Sequence, residues 1–87
     1  MKERYLIIKK LYKDYVILIK DKNNNYISFN EDEIIIHYFG IKDVNTIYLN
    51  NLEIEEKYEC ENNKYNELYL KVKIIEILEL LCKKELE

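Results

Sequence analysis

Apolar positions along this chain repeat first at helical spacing, then in short continuous runs, then at helical spacing again, and each change of period marks an element. In residues 3–12, Tyr5, Ile8, Leu11 and Tyr12 recur as one face of a helix would require. Tyr15 to Lys20 (YVILIK) is β-branched and apolar and is bounded by Asp21-Lys22-Asn23-Asn24-Asn25, which predicts a buried strand. Asparagine enters left-handed turn conformations at little cost, so the polar run predicts a hairpin into Tyr26–Phe29. Asn30 followed by Glu33 resembles a capping box with Asn as the cap, opening a helix over Ile34–Phe39. Gly40, the only glycine, stands where that helix needs a residue free to take positive φ. Thr46–Leu49 predicts a further strand. Glu53–Glu59 alternates but is acidic, and within residues 50–62 strand and helix both stay open.

From Asn63 to Lys84 the pattern predicts one long helix. Leu68, Leu70, Ile74, Ile75, Ile77, Leu78, Leu81 and Cys82 share about half of its circumference, the half expected to face a core. Glu76, Glu79, Lys83 and Lys84 fall opposite. Tyr69, Val72 and Leu80 lie among those charges, on the side expected to be wet. The order α-β-β-α-β-(β or α)-α predicts an α+β (α/β) fold: a small sheet packed by two to three helices, with a long C-terminal helix. At 87 residues this is a single domain, 1–87.

Composition narrows the class. The chain is 48% hydrophobic, enough for a packed interior and against disorder. Ile, Asn, Lys and Tyr supply 46 of the 87 residues, Ala, Pro, Gln and Trp are absent, and Lys outnumbers Arg 13 to 1. Helix physics favours no such choice, since Ala and Arg are good helix formers. AT-rich codons do, which points to a low-GC bacterium or a phage or plasmid within one. The lysines and asparagines are then no nucleic-acid signal by themselves. No signal peptide or bilayer-length apolar run is visible, so a reduced, cytoplasmic setting without membrane contact is expected.

Charge is uneven along the chain. Residues 1–22 carry seven Lys/Arg against three acids, residues 23–61 carry two against nine, and residues 62–87 carry five of each.

Candidate chemistry is sparse. His37, the only histidine, can in principle act as a general base, but it lies within an apolar helix and reads as a partly exposed or hydrogen-bonded residue. Ser28 and Thr46 have no glycine-flanked elbow. Asp21 to Asp32 superficially follows a calcium loop, yet Tyr26 stands where the sharp turn needs glycine. Glu31-Asp32-Glu33 is explained by favourable charge at a helix N-terminus. Cys60 and Cys82 fit no metal spacing. A disulfide between them is conceivable, but two buried small hydrophobes suit a cytosolic protein better. The reading is not an enzyme, with no catalytic residue, metal or cofactor.

Glu3-Arg4-Tyr5-Leu6, Lys9, Asp14-Tyr15-Val16-Ile17-Leu18-Ile19-Lys20 and Tyr26-Ile27-Ser28-Phe29-Asn30-Glu31-Asp32 together resemble the opening of the mismatch-recognition domain of MutS. The likeness covers residues 3–40 and implies a helix, a strand, a tight turn, a second strand ending in Phe and an acidic helix start. It also implies a departure in function. Asn25, Tyr26 and Ile27 occupy the positions of the mismatch-reading Phe-x-Glu, the turn glycine is missing and there is no ATPase domain.

Two classes of function follow. In the first, the chain is a binding protein acting by protein–protein contact, an inhibitor or adaptor of a mobile element, anti-CRISPR-like in one version. Its acidic segment (Glu53, Glu55, Glu56, Glu59) and the apolar residues Tyr69, Val72 and Leu80 would meet a basic nucleic-acid-handling enzyme or defence complex. In the second, a MutS-domain-like module binds nucleic acid directly through Lys9, Lys10, Lys13, Lys20 and Lys22, with Tyr26 available to stack. Net acidity and the single arginine weigh against the second. A homodimer through the C-terminal helix is compatible with both.

Overall fold

A computed structural model of the chain describes residues 1–51 and 53–86. Its elements are α1 (Lys2–Leu11), β1 (Val16–Lys20), β2 (Tyr26–Ile27), α2 (Asn30–Tyr38), a 3-10 turn (Ile41–Asp43), β3 (Thr46–Asn50), β4 (Glu53–Tyr58) and α3 (Tyr65–Leu86). The fold is α+β in the expected order, and the ambiguous acidic stretch is a strand.

The strands form one mixed sheet in the order β2-β1-β3-β4. β1 and β3 are parallel, with Ile17 beside Ile47 and Ile19 beside Leu49, and the two outer strands pair antiparallel to them. The central strands carry the most continuous apolar sequences because both of their faces are covered. Alternation sorts the side chains. Ile17, Ile19, Ile47 and Leu49 pack with Tyr5 of α1 on one face. Val16 and Leu18 pack with Ile35 of α2 and with Leu68 and Val72 of α3 on the other. One helix therefore covers one face and two cover the other.

Local chemistry explains the joints. The Asp21 carboxylate accepts from the backbone N–H groups of Asn23 and Asn25, and Asn24 takes φ +62°, so the β1–β2 connection is an Asx-type turn and the aspartate is used within it. Gly40 takes φ +87° and ψ 167°, and its N–H donates to the carbonyls of Ile35 and Ile36, ending α2.

Three expectations are corrected. The capping box does not form: Phe29 is the N-cap, Asn30 is the first helical residue at φ +52°, and no side chain caps the helix. Leu11 faces solvent rather than the sheet. Cys82 is exposed rather than buried, and both cysteines are free thiols.

The largest correction concerns α3. Its core-facing residues are Tyr65, Leu68 and Val72, spaced i, i+3, i+7, with Tyr69 half-buried beside them. Val72, expected on the wet side, is fully buried, and most of the stripe expected to be buried is outside. The cause is position. Only the first half of the helix lies over the sheet, and from Ile77 to Glu85 every residue is exposed around the whole circumference.

Candidate functional site

A charge taken out of water must be matched by hydrogen bonds, and Asp32 is fully buried in the first turn of α2. Its Oδ1 accepts from Lys9 Nζ at 2.9 Å and from the Tyr65 hydroxyl at 2.9 Å. Its Oδ2 accepts from the Tyr5 hydroxyl at 3.0 Å and from the Ile17 N–H at 3.3 Å. The last bond has a topological origin. β2 pairs with β1 only at Ile19 and Lys20, so the Ile17 backbone lies on an open edge. Asp32 takes its N–H, and Ser28 Oγ donates to its carbonyl at 2.8 Å, so two side chains stand in for the missing strand.

The node shifts its members. Burial pushes the Tyr5 and Tyr65 hydroxyls far above the usual tyrosine range, and the Asp32 charge adds to it, so both stay phenols and donors. Burial lowers Lys9 against the opposing pull of Asp32, and the ammonium sits 4.1 Å from the centre of the Tyr65 ring. A hollow of about 320 Å³ opens beside it, lined in part by Lys13, Asn30, Glu31 and Tyr69. With two donors on each Asp32 oxygen, the carboxylate has no free position from which to take a proton from a substrate. The node ties α1, β1, α2 and α3 together. Lys9 belongs to it and is no free phosphate contact.

The other candidate residues fall into two surfaces. Lys20 pairs with Glu55 at 3.3 Å, and the Tyr26 hydroxyl donates to the same carboxylate, which pushes the tyrosine up to about 12. The Tyr26 ring also lies edge-on to Tyr48, with centroids 5.0 Å apart. Glu59 accepts from the Tyr15 hydroxyl at 2.9 Å. The basic and acidic segments of the sequence thus interleave in space. Lys10, Lys13 and Lys22 are exposed. Glu53 and Glu56 are exposed and in no ion pair among the described residues. All six residues of β4 are exposed, and its outer side is a free sheet edge. Tyr48 pairs with Glu56 and Leu49 with Ile54, so Glu55 is the extra residue of a bulge, turned toward Lys20 and Tyr26.

The second surface is the outer face of α3. Leu70, Ile74, Ile77 and Leu81 are 62, 57, 56 and 52% exposed, and their spacing of four, three and four places them opposite Val72. Leu78 and Leu80 flank this line, both more than half exposed. The sequence revealed the stripe but assigned it to the core; with Leu78 and Leu80 it brings six exposed large aliphatic side chains onto one helix. Leu80 is on the surface as expected, whereas Tyr69 packs against the core cluster.

His37 is exposed on α2, edge-on to Tyr38. Among the described residues no group of three or more His, Cys, Asp or Glu is placed to hold a metal ion, and no helix is long and apolar enough to cross a membrane. No family model, curated protein or solved structure matches the chain.

Proposed function

We propose that this chain is a non-enzymatic binding protein that works by protein–protein contact, an inhibitor of phage or mobile-element origin. Its acidic β4 edge is directed at the basic groove of a nucleic-acid-handling enzyme or defence complex, in an anti-CRISPR-like mode. The observation that carries the reading is that β4 is a fully exposed edge strand bearing Glu53, Glu55 and Glu56, two of which are outside every ion pair among the described residues. A rigid acidic strand offers carboxylates at fixed spacing, and its potential speeds encounter with a basic surface. The used-up Asp32 oxygens support a non-catalytic role. Lys9, Lys20 and Tyr26, three of the six residues that direct nucleic-acid binding would use, already serve carboxylates of this chain.

The test is capture from host lysate by the tagged protein and by its Glu53→Lys/Glu56→Lys variant. The reading expects a protein retained by the parent, released by added DNA as a competing polyanion, and lost at least about tenfold by the variant. Retention of DNA or RNA by the isolated protein, falling with salt and with Lys10, Lys13 and Lys22 substituted, would instead favour the MutS-domain-like module.

A further inference from the structure

The outer face of α3 carries a pattern of its own. Leu70, Ile74, Ile77 and Leu81 occupy successive d, a, d and a positions of a heptad, which is the seam of a helix pair. The same line continues to Glu67 at one end and Lys84 at the other, each one step beyond the last apolar residue. The core-facing line through Tyr65, Leu68 and Val72 is on the opposite side, so the body of the domain does not occupy the seam. A soluble surface does not ordinarily leave six neighbouring Leu and Ile residues more than half exposed.

We infer that the seam is occupied by α3 of a second copy of this chain, running antiparallel. Charge decides the direction. In a parallel pair Glu67 would face Glu67 and Lys84 would face Lys84, like charges at both ends. In an antiparallel pair Leu70 meets Leu81 of the second copy and Ile74 meets Ile77. Glu67 then meets Lys84 at each end, so four apolar layers are closed by two opposite-charge contacts. Among the described residues of one chain Glu67 reaches only Lys71, at 3.4 Å and with both side chains more than half exposed, a loose pair that can be exchanged.

Size agrees with this occupant. A helix of 22 residues is about 33 Å long, and its full outer face is used. The exposed parts of six large aliphatic side chains per copy, summed over two copies, are on the scale of the ~1,200 Å² at the lower limit of stable interfaces. Each body lies behind its own helix, so the two acidic β4 edges are carried on separate bodies and the assembly is bivalent. The dimer is independent of the partner proposed above, because its test uses the isolated protein.

Sedimentation velocity on the whole chain at tens of micromolar should show a particle of twice 10.7 kDa. Glu67→Lys or Lys84→Glu alone should raise the dimer dissociation constant about tenfold, and the double reversal Glu67→Lys/Lys84→Glu should restore it. Direction is read separately in a Cys60→Ser/Cys82→Ser background. Ile74→Cys mixed with Ile77→Cys should form the mixed disulfide in preference to either symmetric one. A monomer throughout that range, a double reversal weaker than either single one, or symmetric cross-links at 74 and 77 would each overturn the inference.

Discussion

Replacing Asp32 by alanine removes the shared acceptor of two buried phenols, a half-buried ammonium and a strand-edge amide. Lys9 would keep only the Tyr15 carbonyl and the Tyr65 ring, and the two phenols and the Ile17 N–H would lose their shared acceptor, a loss of about 3–5 kcal/mol. A domain of this size has roughly 4–13 kcal/mol in total. Urea unfolding should therefore show a much lower midpoint, while Asp21→Ala, confined to a surface turn, should cost about 1 kcal/mol or less. The same node fixes the alkaline limit. Tyr5 and Tyr65 have folded values raised above their ordinary 10.0, so their contribution is complete below pH 10 and is lost as pH rises beyond it. Lys9, lowered, acts in the opposite sense, but only up to its ordinary 10.5. Stability should fall above pH 10, each tyrosine contributing up to about 1.4 kcal/mol per pH unit, and Tyr65→Phe should flatten the fall. None of this was visible in the sequence. Glu31-Asp32-Glu33 look alike as letters, and only the gap in pairing beside Ile17 sets Asp32 apart.

At the level of elements, what was legible depended on whether each segment's own periodicity determined its surroundings. β1 and β3 were readable because continuous apolar runs have one use in a small domain, the centre of a covered sheet. Gly40 was readable because its backbone lies in a region nearly closed to other residues. Nothing lies within 4 Å of where a Cβ would be, so Gly40→Ala should cost about 1–3 kcal/mol by backbone strain alone, measurable by denaturant titration. β4 stayed ambiguous because an exposed edge strand needs no apolar face, and its glutamates suit water in either conformation. α3 misled because periodicity reports that a stripe is apolar and not what covers it. Val72 was placed among the charges because it shares a helical face with Glu76, Glu79 and Lys83, yet it is the residue that meets the sheet side. Lys73 bonds Glu31 of α2 at 2.9 Å and holds that carboxyl below its ordinary range, but both groups are partly exposed. Lys73→Met should change stability by no more than about 1 kcal/mol.

On the scale of the whole molecule, the chain divides into a body with two small cores and a helix whose distal half stands clear of it. The body is complete without the outer face of α3, which is why that face can be given to a partner. The claim on which the account rests is that this stripe is surface rather than core. It is tested most directly by placing glutamine at Leu70, Ile74, Ile77 and Leu81 together and measuring urea unfolding at submicromolar concentration, beside Val72→Asn as a core control. The four-site variant should keep the parent's midpoint and near-ultraviolet circular dichroism, while the control loses both. A four-site variant that unfolds as readily as Val72→Asn would contradict that claim.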